Sequence, residues 1–498
     1  MLKKGWQRYH TIWTMLFLGW FVSYIDRTAT GPVITWMIEN KVSFFSNIPN
    51  PHEFGGLIGS LFFAGFMLNQ FPGGYLGDKF GYRPVIILSI VWAGVATILT
   101  GLTGGLVMFV MLRVLLGLGE GILYSNDRSY IVFNTPPEKI GLGMGVVITG
   151  LSVGLTVATI GTPLLLGLAE PMMGKEAWRF PFLLMGGISF LVVILMFKFM
   201  RPNSKLKQSV DSESPGVKEY YGKALVQLCM YSVVFLSIIM AIYFASTKLG
   251  ISSVMIAFIL TGLAPLLILY LYKTKKSDVY PVLMNRNLIF LYLSAIAIMW
   301  HLWFYGFWSV SIVQEFGGGA LMGAALVASF NGLAGIIGFP LGGRISDKVA
   351  NRRNGRRNIL AILTGLLTVS IFIFTAYVQL GNNNPVIMSL ILFVSGLFFF
   401  ALQPVAHALT AELAPEGKRG TAFGMWNLIA EVGAVLSPVV SGFLRDSTQS
   451  WGAPLLLDGA LMAASCLLVM AISSKGLQSS SLHKENEEVS IEKQSIQA

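Results

Sequence analysis

The chain has 498 residues, 54% of them hydrophobic and only 12% charged, whereas soluble domains are roughly a quarter charged. Mean hydropathy is +0.68, and apolar runs of about 18 residues or more recur along the whole length, which excludes a soluble enzyme built on half-polar helices. The net charge of +11 gathers between those runs, as in the retained loops of a membrane protein, and does not form a nucleic-acid-binding surface.

The first apolar run, about residues 12–36, is too long for the core of a secretion signal and lacks a small-residue cleavage site, so it reads as a retained span. Five more spans follow near 54–72, 84–103, 105–126, 142–168 and 180–200, making residues 1–200 an N-terminal six-helix bundle. RPNSKLKQSVDSESPGVKEYYG (201–222) has the composition of a cytoplasmic linker. Residues 223–286 hold two additional spans, about 223–246 and 251–272, and a basic stretch, KTKKSDVYPVLMNR (273–286), expected to be helix-poor. A C-terminal six-helix bundle is expected over 287–472, and the Ser-, Glu- and Lys-rich tail, 473–498, reads as disordered. The fold class is an all-α polytopic membrane protein: two six-helix bundles with two extra transmembrane helices between them.

Lys3, Lys4 and Arg8, and the basic residues of Lys198 to Lys223, Lys273 to Arg286 and Arg344 to Arg357, fall on one side by this assignment. Positive loops stay in the cytoplasm, so both termini are expected there, with the chain multi-pass in the cell (inner) membrane. Cys229 and Cys466 lie far apart in apolar helices and indicate neither a disulfide nor a metal. The chain lacks H-E-x-x-H, G-x-S-x-G and a P-loop lysine, so neither an enzyme nor a cofactor is indicated.

GGYLGDKF (73–80) follows the second span of the first set, and GGRISDKV (342–349) the second span of the second set. Both read G-G-x-x-x-D-K, and such repeated halves are how secondary transporters build two bundles that rock about a midplane site. Gly74 to Arg83 resembles the loop motif of the major facilitator superfamily. The resemblance covers about 8–205 and 285–475, and the two additional spans resemble those of fourteen-helix variants. It implies a cytoplasmic latch made by Gly74, Asp78, Lys79 and Arg83, with Asp347 as its repeat. A polar turn held inside by its charge is the plainer reading of the same residues. The additional spans are expected on the outside of the bundles, away from the substrate.

The stretch WFVSYIDRTATGPV (20–33) places Asp26 and Arg27 inside the first span. A charge at mid-membrane costs roughly 2.5–3.5 kcal/mol on insertion scales, so these two need partners or a wet cavity. Neighbouring residues on a helix point about 100° apart, so the partners must come from elsewhere. VMLRVLLGLGEGILYSNDR (110–128) supplies them, because Arg113 and Glu120 are two turns apart on one face with Gly117 between them. Counted from the span centres, Arg27 and Arg113 fall roughly 4–5 Å to the outer side of the midplane and Glu120 a similar distance inward. The four charges cancel when the site is empty, so proton uptake and anion binding each favour the other by linkage. A static ion-pair network fixing helix packing is the competing reading.

Tyr24, Asp26 and Arg27, the run Gly65 to Gly74, and Arg113 with Glu120, Asn126, Arg128, Pro136 and Glu138 resemble the anion:cation symporter branch of the superfamily. That likeness implies Asp26 and Glu120 as the protonated pair and Arg27, Arg113 and Tyr24 as substrate ligands. Phe66 stands where the branch commonly has Tyr, which removes a hydroxyl partner for a polyhydroxylated substrate. Asn427 matches a substrate-contacting Asn. Glu431, one turn further on, departs from the pattern, as an additional proton or cation site or a partner of His407. Gln403 is a further substrate candidate. His301 lies in the aromatic run WHLWFYGFW (300–308), whose side chains are candidates to line the cavity.

The expected function is import of a small organic anion, a carboxylate or sugar acid, by proton symport with alternating access, a single chain sufficing. Sodium in place of the proton stays open, because carboxylates suit either ion. So do a proton-coupled exporter, an anion exchanger and a membrane sensor of the same anion. The fifth span, GLSVGLTVATIGTPLLLG (150–167), lacks the Gly-Pro pair of the superfamily's drug exporters.

Overall fold

A computed structural model describes residues 5–42, 45–46, 48–136, 139–200, 217–317, 319–350, 352–415 and 418–473, without the side chains of 71, 75, 78, 79, 125, 140, 141, 217–221, 224 and 278. Most of the linker and tail, together with Lys3, Lys4, Glu138 and the side chains of Asp78 and Lys79, lie outside the described residues.

The described chain is helical. In the first half, α1 is Arg8–Glu39, α2 Pro51–Phe80, α3 Tyr82–Leu102, α4 Leu106–Glu120, α5 Leu123–Asn134, α6 Ile140–Met173 and α7 Arg179–Phe199. The middle holds α8 (Val217–Lys248), α9 (Ser253–Thr261), α10 (Leu263–Thr274) and α11 (Lys276–Leu283). The second half holds α12 (Arg286–Gly317), α13 (Leu321–Val349), α14 (Gly355–Gln379), α15 (Pro385–Leu413), α16 (Arg419–Thr448) and α17 (Gly452–Met470). Eleven stretches of the described residues are helices long and apolar enough to cross a membrane, α9 and α10 counting as one. The chain is a multi-pass membrane protein. α1, α2 and the α4–α5 pair are outside those eleven: α4 and α5 are 15 and 12 residues long, each too short alone, and the buried charges of α1 lower its hydropathy.

Two local details differ from expectation. The 273–286 stretch is not helix-poor, since α11 occupies most of it. The second additional span breaks at Gly262 because Pro265, lacking an N–H, cannot continue the ladder to Thr261.

The halves meet through α2 against α16, α6 against α13 and α1 against α12. At the end of the helices away from the duplicated motif this seam is shut. There the Asp446 carboxylate of α16 accepts the backbone N–H groups of His52 and Glu53, each at 2.9 Å, and pairs with His52 Nδ1 at 2.7 Å. Those amides are the unpaired donors of the first turn of α2, where a carboxylate also complements the helix dipole. Glu53 in turn accepts the N–H of Ser253 at the start of α9. The additional helices make contact with both halves. α8 packs on α2, α3 and α4, while α9 touches both α2 and α16 and straddles the seam.

Close helix approach rests on missing side chains. The space beside Gly117 of α4 is filled by a helix: a Cβ there would stand 2.0 Å from the Phe62 carbonyl oxygen of α2. Within the loop motif, a Cβ on Gly77 would stand 1.7 Å from Asn126 Oδ1. Gly117→Ala should therefore force α2 and α4 apart at a cost of about 1–3 kcal/mol. Gly187→Ala in α7, with nothing within 4 Å, should be neutral. Thermal melting of the two detergent-solubilised variants checks this, the first falling below the unmodified protein and the second matching it.

Candidate functional site

Asp26, Arg27, Arg113, Glu120 and Glu431 are each at most 5% exposed. α1 brings Arg27 to Glu120 at the C-terminal end of α4, and the two form a buried ion pair through Arg27 Nε. Arg27 also donates to Ser23 Oγ at 2.9 Å, one turn back on its own helix. Its guanidinium lies 4.2 Å from the Phe66 ring centroid and 4.9 Å from that of Tyr24. An arginine so stacked is held by its π face, which leaves its N–H edge for carboxylates. Phe66, the residue that departs from the branch pattern, here serves as that stacking platform.

Arg113 is turned elsewhere. Its guanidinium donates to Thr30 Oγ1 at 2.9 Å and Thr100 Oγ1 at 3.1 Å, and stacks over Phe182. Asp26 makes no ion pair among the described residues; its carboxylate faces the Thr97 hydroxyl and feels the charges of Glu120 and Arg113. The four charges thus share one buried region as two sub-clusters: Arg27 with Glu120, and Arg113 with hydroxyls beside Asp26.

The second half closes over this cluster. Asn427 Nδ2 donates to Gln70 Oε1 across the seam, and Gln70 Nε2 reaches Glu431 Oε1 at 3.5 Å. Glu431 also faces the Arg27 charge, and its other oxygen has no partner. Its contact is with Gln70 and not with His407, which packs edge-on against Trp426 at 4.8 Å. Gln403 is buried with its Nε2 unpartnered.

A cavity of about 1070 Å³ lies between the halves at the motif end. Gly74 and Asp347 are at its mouth, and Gln70, Tyr124, Arg128, His407 and Asn427 line its wall. Arg27, Glu120 and Asp26 do not line it. They sit beyond the Gln70–Asn427 bridge, so cavity and charge cluster are separate compartments in this state. Arg83 binds the Phe197 carbonyl at the end of α7 at 3.0 Å. Asp347 is exposed at the cavity and makes no ion pair among the described residues. Trp303 of the aromatic run stacks on Tyr24 at 5.5 Å, while Trp308 caps the Pro438 carbonyl at 2.9 Å. Trp303 thus packs across the seam on Tyr24 and Phe63, and none of the run borders the cavity.

Sequence reading missed three polar pairs. His301 Nδ1 meets Asp458 Oδ2 at 2.8 Å, both fully buried, and the isolated Asp of PLLLDGALM was its visible signal. Asp127 accepts the Trp20 indole N–H at 2.6 Å. The His52–Asp446 contact had no local signal, because its partners are 394 residues apart.

The sequence profile of the Major Facilitator Superfamily matches residues 16–354 and 311–493. The chain belongs to that superfamily. Among relatives of this superfamily chain, a probable sulfoacetate transporter of Cupriavidus necator is 26% identical over 478 residues, 95% of each protein. A D-galactonate transporter of Escherichia coli is 23% identical over 89% of this chain and 90% of its own length. Among solved structures, a peptide transporter in complex with sulfate superposes with a TM-score of 0.67 at 18% identity, covering 94% of this chain and 95% of its own, a likeness of fold alone. Like its superfamily relatives, the chain is a transporter and not an enzyme.

The buried pair has a measurable consequence. Glu120→Ala strands the Arg27 charge in a dry site, at a cost of about 3–5 kcal/mol, whereas Glu120→Gln keeps a hydrogen-bond partner and should cost less. Urea or thermal unfolding of both variants in detergent checks the order, Ala well below Gln.

Proposed function

We propose that the chain imports a small organic anion, a carboxylate, sulfonate or sugar acid, together with protons, by rocking two six-helix halves about the Arg27–Glu120 pair. In this reading residues 1–200 and 287–472 are the moving bundles, joined by the linker 201–222, and 223–286 contributes the two additional spans. Fourteen spans result when α1, α2 and the α4–α5 pair join the eleven apolar ones. The motif end faces the cytoplasm, as the positive residues require, and the cavity is the inward-open vestibule.

The observation that carries the reading is the occupancy of Arg27. Its N–H edge is taken by Glu120, so an arriving acid group competes with that carboxylate for the same guanidinium. A proton on Glu120 ends the competition, because a neutral carboxyl holds Arg27 far less strongly than an anion does. Anion and proton then bind as a linked pair, each lowering the free energy of the other. Asp26, without an ion-pair partner beside Arg113, is a second proton acceptor, and Glu431 is the group of the C-terminal half that senses the Arg27 charge. Tyr24, Gln403 and Asn427 complete the substrate contacts, with Arg113 setting the local positive field. In this reading Gly74, Asp78, Lys79, Arg83 and Asp347 form the cytoplasmic gate. Sulfoacetate and D-galactonate, named for the two relatives, belong to one chemical class: short, acidic and oxygen-rich.

Uptake of labelled sulfoacetate and D-galactonate into proteoliposomes, with and without an inward proton gradient, tests this. Accumulation should require the gradient and persist when sodium is replaced by potassium. Sodium dependence would overturn proton coupling, and no uptake of either probe would overturn the substrate class. Arg113→Ala should abolish uptake at unchanged expression. Glu120→Gln should lose gradient-driven accumulation while keeping counterflow exchange, and accumulation that survives in this variant would remove Glu120 as the coupling group.

A further inference from the structure

The cavity holds a cation that the mechanism above does not use. Arg128 on α5 lines its wall, and its side chain is 23% exposed. It is held along one edge and one face. Nε lies 3.6 Å from Asp127 Oδ1, and Asp127 is itself tied to the Trp20 indole at 2.6 Å. The guanidinium carbon stands 5.4 Å from the Tyr124 ring centroid and 5.9 Å from that of Trp20. The opposite edge meets only a soft acceptor: Nη1 touches Met144 Sδ at 3.4 Å, and Nη2 has no partner although buried. A guanidinium presents paired N–H donors along that edge, the geometry that grips a carboxylate or sulfonate by two bonds.

From the other half, His407 on α15 borders the same cavity, lies in the field of Arg128, and has its Nε2 buried without a partner. Trp20, Tyr24 and Arg27 follow one another along one side of α1. The seven residues from Trp20 to Arg27 rise about 10 Å, so Arg128, stacked beside Trp20, sits on the order of 10 Å from Arg27 toward the open end. Between the two arginines lies a wall of aromatic rings, Tyr24 on Trp20 at 5.7 Å and Trp20 on Tyr124 at 6.1 Å.

We propose that Arg128 and His407, one from each half, form a second anion-binding station at the open side of the Gln70–Asn427 bridge, which takes the substrate's acid group after it leaves Arg27. The proposal rests on the transport reading above and adds a staging site to it. The deep site releases its anion when Glu120 loses its proton and reclaims Arg27. The expelled anion then meets Arg128 before bulk water, which separates release from the central pair and exit into two smaller steps. Because the station includes His407, it is complete only while the halves stand as they do here, and it is unavailable to an anion arriving from the far end.

Sidedness makes this testable with labelled sulfoacetate and D-galactonate in oriented proteoliposomes. Arg128→Gln and His407→Ala should each raise the apparent KM measured from the motif-end face by about tenfold. The KM from the far-end face should stay within twofold, and Arg128→Lys should recover part of the loss. A structural role alone would lower the maximal rate or the folded yield with both KM values unchanged. That result, or equal KM shifts on the two faces, overturns the proposal. If Arg128→Gln does not yield monodisperse protein, His407→Ala decides. Unmodified protein that transports neither probe fails the transport reading itself, whereas normal transport with side-independent variants fails only the station.

Discussion

A guanidinium and a carboxylate, Arg27 and Glu120, are paired in the dry middle of the molecule, and much else follows from keeping them there. Two charges taken out of water recover their desolvation only through close contact and additional hydrogen bonds. Arg27 has the contact, the Ser23 hydroxyl and two aromatic faces. Glu120 reaches it from α4, and α4 lies close enough to α2 only because Gly117 has no side chain against the Phe62 carbonyl. A packing constraint thereby sets an electrostatic one: the small residue fixes where the α2–α4 contact lies and where the charges of α4 stand.

The same pair explains why the molecule has two compartments. An ion pair this buried must be shielded from the cavity, and the shield is polar: Gln70 of one half bridges Asn427 and Glu431 of the other. Amide hydrogen bonds across a seam can be exchanged for water at modest net cost, so this partition is weaker than an ion pair would be. The far end is sealed by different chemistry. Asp446 accepts two backbone amides and a His52 ring nitrogen at the start of α2, and Trp308 caps the Pro438 carbonyl. There a charged acceptor meets a helix terminus and an indole fills the gap. The charge cluster is thus closed on its two sides by unlike contacts, amide hydrogen bonds toward the cavity and a charged helix cap at the far end.

The additional helices belong to the same picture. α9 touches α2 and α16 together, and its first amide is capped by the side chain of Glu53, whose own backbone N–H is held by Asp446. Lys275 and Val279, from the segment that follows, border the cavity. The inserted segment therefore touches the molecule at both the sealed end and the open one.

Helicity, the membrane and the repeated halves were legible in residue order alone, because span length, loop charge and the duplicated G-G-x-x-x-D-K are local signals. So was the identity of the deep charges, since an ion inside an apolar run is conspicuous wherever its partner lies. Residue order could not say which charges touch. Arg113 and Glu120 share a helical face, yet one turns to threonine hydroxyls and the other to Arg27, because α1, α3 and α7 offer different neighbours at each height. Nor could it show that Glu431 would meet Gln70 and not His407, or that Asp446 would close the far end, since those contacts join segments hundreds of residues apart. Composition and periodicity decide what must be buried. Only the packing of one helix on another decides what it is buried against, because that depends on glycine positions and crossing points that no single segment contains.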